Sequence, residues 1–194
     1  IPGEALGEPR QLRFVTGKRR EMWKKNCVAL GLASGFLEPL ESTSIHLVQA
    51  GIARLVSLFP DKRCDPTLVA EFNRQMDFEF HAIRDFLILH YHVTERDVSE
   101  FWRYCRNMTI PDTLQEKLEL FEASGRIVRF NQELFDVPSW FQVMWGQGMR
   151  PAGRHPMVAV VPPADLRRYI GMNETETREP VSYTHLRAHE TTSH

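Results

Sequence analysis

Apolar residues recur at helical spacing along most of this chain. In Ile45–Phe59 they stand three or four positions apart and stop at Pro60, which predicts an amphipathic helix with its apolar side in the core. A longer stretch of the same kind runs from Leu68 to Leu87. Asp65–Pro66 lies just before it and is typical of a helix start, because proline fits the first helical position.

Shorter patterns flank these two stretches. Asp112–Gln115 resembles a capping box, Gly125 is a typical helix stop, and Trp140–Trp145 predicts one short apolar helix. Before the first long helix, Gln11–Val15 alternates polar and apolar residues and Cys27–Leu30 is a short apolar run. The first predicts a short strand and the second a buried strand. The expected fold is therefore mainly α, with a few strands.

Composition narrows the class of protein only a little. The 194 residues are 42% hydrophobic with a formal charge of −1, which is typical of a globular protein and argues against a nucleic-acid surface over the whole chain. Cys27, Cys64 and Cys105 have neither metal-ligand spacing nor a disulfide pattern, so we expect free thiols, no metal site and a cytoplasmic location. No apolar run reaches the roughly 20 residues of a membrane span, so no membrane partner is expected.

The segment Gly35–Leu47 is the strongest candidate for chemistry. It places two acids, a proline and a Ser-Thr-Ser run directly before the first helical pattern. Helix N-termini attract anions, because their first N–H groups have no partner inside the helix. A simpler alternative is that one of residues 42–44 only caps the helix, while Glu38 and Glu41 only favour its positive end.

The longer string Asn26–Ile45 closely resembles the core of the flavin-dependent tryptophan halogenases. The resemblance covers roughly residues 10–170 and continues through Phe72–Arg74, Ile83–Tyr91, Phe101–Trp102 and Trp140–Gly148. It implies a C-terminal helical module plus a few strands of an FAD-dependent α/β fold of the hydroxybenzoate-hydroxylase type. The chain has no Gly-x-Gly-x-x-Gly string. We therefore expect the C-terminal portion of a longer enzyme, whose other part holds the FAD loop and an essential lysine.

Three regions follow from this resemblance. Residues 1–35 are expected to be a remnant of the FAD-binding α/β domain, and residues 36–170 a helical module for substrate and halide. Residues 171–194 are expected to be a disordered or artefactual tail, because Val181–Glu190 looks like a translated sequencing adapter.

The resemblance also implies a reaction and its residues. Reduced FAD from a separate flavin reductase, O₂ and chloride or bromide would halogenate an electron-rich aromatic substrate. Glu41 maps to the catalytic glutamate of the family, Thr43 and Ser44 to its halide site, and Leu32 and Ile45 to positions that line the flavin. Ser44 replaces a glycine of the family, which removes freedom at positive φ. The fragment alone is expected to be inactive, and a homodimer of the full-length enzyme is left open.

Matching spacing places five residues of this chain at substrate-binding positions of the tryptophan-specific members: His90, Tyr91, Asp97, Phe101 and Trp102. Asp97 is shorter than the family's glutamate, His90 replaces a tyrosine, and Arg106 stands at an asparagine position. An indole or phenol without the amino-acid backbone is therefore at least as good a candidate as free tryptophan.

Two other functions stay open on the sequence. An aromatic monooxygenase on the same scaffold would hydroxylate without a halide, and a non-catalytic helical binding module would have neither activity.

Overall fold

The computed structural model describes residues 7–8, 11, 13, 15–63, 65–131 and 133–172 of the chain. Short antiparallel strand pairs come first: β1 (Gly17–Lys18) with β4 (Gly35–Phe36), and β2 (Trp23–Lys24) with β3 (Cys27–Val28). The helices that follow are α1 (Ser44–Ser57), α2 (Pro66–His92), α3 (Glu100–Asn107), α4 (Asp112–Ser124) and α5 (Val137–Gly146). A 3₁₀ turn spans Gly31–Ala33, another spans Pro156–Val160, and residues 163–172 are helical. The expected mainly helical fold is confirmed.

Local sequence signals correctly mark the start of α2 and the end of α4. The Asp65 side chain accepts a hydrogen bond from the backbone N–H of Thr67 at 2.9 Å, which caps the start of α2. Gly125 ends α4 in the left-handed conformation with φ 68°. The predicted capping box is wrong, because the N-cap of α4 is Pro111 and Asp112 already lies within the helix. Helix α3 was not predicted.

The structure agrees less closely with the strand predictions than with the helix predictions. Cys27–Leu30 contributes only the two residues of β3, and Cys27 is exposed, so the expected buried strand is wrong. Two residues of the predicted strand Gln11–Val15 lie outside the described residues, as do Cys64 and the tail from residue 173 onward.

Helix α2 is the centre of the core. Its N-terminal half packs Phe72, Met76 and Ile83 against Trp23 and the neighbouring Met22 of the strand region. Its C-terminal half packs against α4 and α5 in a second cluster: Phe86, Leu89, Leu114, Leu118, Phe121, Trp140 and Met144. Among the described residues, no helix is long and apolar enough to cross a membrane.

Helix α1 packs through a different side from the one its apolar pattern predicts. The following apolar residues on α1 and just after it are exposed: Ile45, Ile52, Val56 and Phe59. The buried positions are Leu47 and Gly51. A Cβ on Gly51 would lie 2.7 Å from Leu30 Cδ2, so the missing side chain is what lets α1 approach its neighbours. The expected core stripe is therefore wrong for these four exposed residues, whereas Leu55 packs against the core as predicted.

The Glu79 side chain of α2 connects this helix to α1 through two polar contacts. This side chain is only 4% exposed, and one oxygen lies 2.8 Å from His46 Nε2. The other oxygen accepts a hydrogen bond from the Arg54 guanidinium. Both partners belong to α1, so this carboxylate sets the position of the helix whose N-terminus carries the candidate halide residues.

Candidate active site

The segment before α1 presents unpaired backbone donors. Thr43 is the N-cap and is buried, but its side chain makes no capping bond. Among the residues that the structure describes, no hydrogen-bond acceptor is recorded for the backbone N–H of Thr43 or Ser44. Such groups are available to an anion, and the helix dipole adds partial positive charge there. The alternative of simple side-chain capping by Thr43 is not observed.

Ser44 adopts an ordinary helical backbone conformation. Ser44 is the first residue of α1 and is not among the described residues with positive φ. The left-handed residue of this segment is Ser42, with φ 53°. The freedom at positive φ that glycine would have is therefore not used at Ser44 in this structure.

The two acids of this segment contact two adjacent rings on α2. Glu41 Oε1 lies 3.2 Å from His90 Nε2, and the Tyr91 hydroxyl donates a hydrogen bond to Glu38 Oε2 at 2.7 Å. The hydrogen bond to Glu38 is the largest cause that raises the pKa of Tyr91 to about 12, and burial of the hydroxyl and the charge of Glu38 add to it. This contact of Glu38 could not be predicted from the sequence, because its partner Tyr91 is 53 positions away.

The second nitrogen of His90 is also engaged. Nδ1 lies 2.8 Å from the backbone oxygen of Phe86, one helical turn earlier in α2. The Phe86 ring meets the imidazole edge to face with centroids 4.8 Å apart. These contacts hold the imidazole with Nε2 toward Glu41.

Tyr91 continues into a cluster of aromatic rings. It stacks on Trp102 with centroids 6.0 Å apart, and Phe101 meets Trp102 edge to face at 5.1 Å. Phe101 is 55% exposed. Beside it lies a cleft of about 350 Å³, lined by Glu38, Tyr91, Phe101 and mostly apolar residues of α2 and α3. An aromatic molecule could stack there, because aromatic rings bind one another in offset and edge-to-face arrangements.

The other predicted site residues lie apart from this cluster. Asp97 is exposed and pairs with Arg103, its Oδ1 lying 3.4 Å from Arg103 Nη1. Arg106 Nε donates a hydrogen bond to the Thr94 carbonyl at 3.1 Å. Leu32 and Ile45, predicted to line the flavin, are 75% and 72% exposed on two elements that contact each other.

A larger cavity of about 580 Å³ lies elsewhere and contains none of the predicted residues. Its wall includes the buried pair of Lys117 Nζ and Glu133 Oε1, 2.9 Å apart. No group of three potential metal-binding side chains is found within the described part of the chain. The Glu41–Tyr91 region is therefore where the predicted chemistry and the geometry coincide.

Comparison with known proteins decides the family. The family model "Tryptophan halogenase" matches residues 1–163. The chain belongs to the tryptophan halogenase family. Tryptophan 7-halogenase RebH from Lentzea aerocolonigenes is 34% identical over 169 residues, which are 79% of this chain and 32% of that protein.

Two solved halogenase structures resemble the chain more strongly. Xcc4156, a flavin-dependent halogenase from Xanthomonas campestris, superposes with a TM-score of 0.85 at 48% identity over 94% of this chain. BrvH, a flavin-dependent halogenase from Brevundimonas sp. BAL3, gives 0.84 at 45% identity over 91%. The chain covers 37% and 36% of those two proteins, so it spans about a third of the length of the relatives it matches.

Proposed function

We propose that this chain is the C-terminal part of a flavin-dependent halogenase that acts on an electron-rich aromatic substrate. The observation that carries the proposal is the arrangement of Glu41 beside the start of α1. Glu41 stands two residues before Thr43 and lies 3.2 Å from His90, and the adjacent Tyr91 stacks on Trp102 of α3. Family membership supports the reaction class.

The halide site in this proposal is the start of α1. The N–H groups of Thr43 and Ser44 would hold chloride or bromide, and the helix dipole would stabilise its charge. Bound FAD, in its reduced form and with O₂, would supply the oxidation of this halide. Glu41 would stabilise the cationic aromatic ring and accept the proton that the halogen replaces.

The FAD would adjoin the face of the chain that carries Leu32 and Ile45. Both side chains are apolar and exposed, and apolar surface of this kind suits a flat ring system or a second domain. We assign residues 1–35 to an α/β FAD domain of the hydroxybenzoate-hydroxylase type, and residues 36–170 to the helical module. A separate flavin reductase would deliver reduced FAD, and the free thiols of Cys27 and Cys105 suit the cytoplasm.

The substrate in this proposal is an indole or phenol rather than free tryptophan. Tyr91, Phe101 and Trp102 supply rings for stacking. Asp97 and Arg106, which would have to grip an amino-acid backbone, are engaged with Arg103 and Thr94 instead. The cleft beside Tyr91 is mostly apolar and would fit a flat ring, and its two charged residues, Glu38 and Arg84, are already bonded to Tyr91 and Asp85.

Halide dependence tests this function against the aromatic monooxygenase alternative. The complete enzyme, produced with its upstream coding sequence, is given reduced FAD, O₂ and a panel of indole, phenol and tryptophan, with or without bromide. A brominated product that forms only with bromide supports the proposal, and indole should react faster than tryptophan. A hydroxylated product that is indifferent to bromide would identify a monooxygenase, and no product at all would favour a binding module.

A further inference from the structure

We propose that Glu38 selects the substrate by accepting a hydrogen bond from the aromatic ring itself, from the N–H of an indole or the O–H of a phenol. Glu38 is thus a specificity-determining residue, at a position to which the sequence resemblance assigns no role. The inference deepens the proposed function and rests on it for the reaction, but the selection acts on binding and can be measured without turnover.

The Glu38 carboxylate is bonded through one of its oxygens. Oε2 accepts the hydrogen bond of the Tyr91 hydroxyl at 2.7 Å. Within the described part of the chain, no hydrogen-bond donor is recorded for Oε1. A carboxylate only accepts hydrogen bonds, and both of its oxygens can do so. Because Glu38 is partly buried, a ligand donor that reaches Oε1 would form a charge-assisted bond that water screens only in part, and such bonds are strong.

Tyr91 holds this carboxylate in the wall of the cleft. The phenol ring stacks on Trp102 with centroids 6.0 Å apart and meets Phe101 edge to face at 6.3 Å, so its hydroxyl has a fixed direction. The hydrogen bond to Glu38 is the largest of the causes that raise the pKa of Tyr91 to about 12, so the hydroxyl remains a donor at neutral pH. Oε2 therefore stays occupied, and Oε1 is left for a ligand.

The cleft beside this carboxylate suits a flat ring with one hydrogen-bond donor. Its volume is about 350 Å³, and Tyr91 and Phe101 line it together with apolar side chains of α2. Arg84, the basic residue of the wall, directs Nε and Nη2 to Asp85. Among the described residues that line the cleft, Glu38 is the only carboxylate. A ring without a donor would displace water from Oε1 and leave it unpaired, which costs binding free energy.

The same hydrogen bond would assist the reaction. Attack of an electrophilic halogen on an indole or phenol leaves positive charge on the ring, and the nitrogen or oxygen that carries the hydrogen shares this charge. A carboxylate bonded to that hydrogen stabilises the charged intermediate more than the neutral ring, so it lowers the barrier. Glu38 takes up no proton, because the proton that the halogen replaces leaves the ring carbon to Glu41, as in the proposed function.

Matched pairs of ligands test the selection on the 194-residue chain. Indole and 1-methylindole share one ring system, phenol and anisole share another, and in each pair methylation removes the donor. Isothermal titration calorimetry at pH 7 measures the dissociation constants. The native chain should bind indole and phenol at least about tenfold more tightly than their methylated partners, since a hydrogen bond to a charged group contributes that much.

Glu38→Gln keeps the size of the side chain and an acceptor for Tyr91 but removes the charge. It should reduce the tenfold preference to about twofold, while the affinity for 1-methylindole and anisole should not fall. Glu100→Gln is the matched control and should keep the native preference, because Glu100 is exposed at the start of α3 and does not line the cleft.

Three results of this calorimetry would overturn the inference. The first is a Glu38→Gln chain that loses affinity equally for the donor and the methylated ligands, because that would show a structural role alone. The second is a native chain that binds both members of each pair equally well. The third is a native chain that binds none of these ligands.

Turnover by the complete enzyme separates this inference from the proposed function. The kcat/KM values for bromination of indole and of 1-methylindole are compared in the native enzyme and in Glu38→Gln. The ratio of the two values should fall at least about fivefold in the variant, through the value for indole. An unchanged ratio would contradict the role of Glu38. An enzyme that brominates neither ring would refute the proposed function, whereas the calorimetry would still decide whether Glu38 selects the donor.

Discussion

Glu79→Gln is expected to loosen the helix that carries the proposed halide site. The native carboxylate is 4% exposed and contacts both His46 and Arg54 of α1. Breaking a buried charge pair by changing one partner costs about 3–5 kcal/mol. Glutamine keeps one acceptor oxygen, so we take the lower end, about 3 kcal/mol. With a urea dependence of about 2 kcal/mol per molar, the unfolding midpoint should fall by about 1.5 M.

The matched control for this change is Glu71→Gln on the same helix. Glu71 also contacts two side chains, Arg74 and Gln75, but its side chain is 37% exposed. Exposed pairs contribute little to stability, so the control should unfold close to the native midpoint. Urea titrations of the three chains, followed by far-ultraviolet circular dichroism, measure the difference. Equal midpoints for Glu79→Gln and Glu71→Gln would refute the view that the buried carboxylate holds α1 in place.

Three smaller predictions concern two glycines and one tyrosine. Gly35→Ala should destabilise the chain by about 2 kcal/mol, because its Cβ would lie 2.8 Å from the Gly17 carbonyl oxygen. A Cβ on Gly146 would meet no atom, so Gly146→Ala should leave the urea midpoint unchanged and serves as the control. Gly125→Ala should cost about 1 kcal/mol by the same assay, because φ there is 68°. The Tyr91 hydroxyl should ionise near its pKa of about 12 instead of 10.0, so its bond stabilises the fold below pH 10 and is lost as the pH rises through 12. The pKa is obtained from the difference between ultraviolet pH titrations of the native chain and of the Tyr91→Phe chain. A pKa of about 10 for Tyr91 would contradict the prediction.

The sequence predicted best what local physics decides. Asp65 and Pro66 mark the start of α2, and the apolar residues behind them are buried, because capping and helical spacing act within a few residues. Gly125 ends α4 for the same kind of reason. Helix α3 has only eight residues, and Arg103 separates its apolar pairs Phe101–Trp102 and Tyr104–Cys105, so no helical apolar stripe is visible in the sequence.

Features that depend on long-range contacts could not be predicted in the same way. The buried side of α1 rests on Gly51, whose contribution is the absence of a side chain. The bond between Glu38 and Tyr91 joins residues 53 positions apart. Spacing placed Asp97 among the substrate residues, but spacing does not determine side-chain direction, and the carboxylate turns to Arg103.

The proposed role of Glu41 can be measured directly in the complete enzyme. Bromoindole formation from indole, bromide, reduced FAD and O₂ is quantified by mass spectrometry for the native enzyme and for Glu41→Gln, with flavin binding measured in parallel. We expect the rate to fall at least about 100-fold, since a positioned acid or base contributes that much or more, while flavin binding is unchanged. A Glu41→Gln enzyme that brominates indole at the native rate would contradict the account.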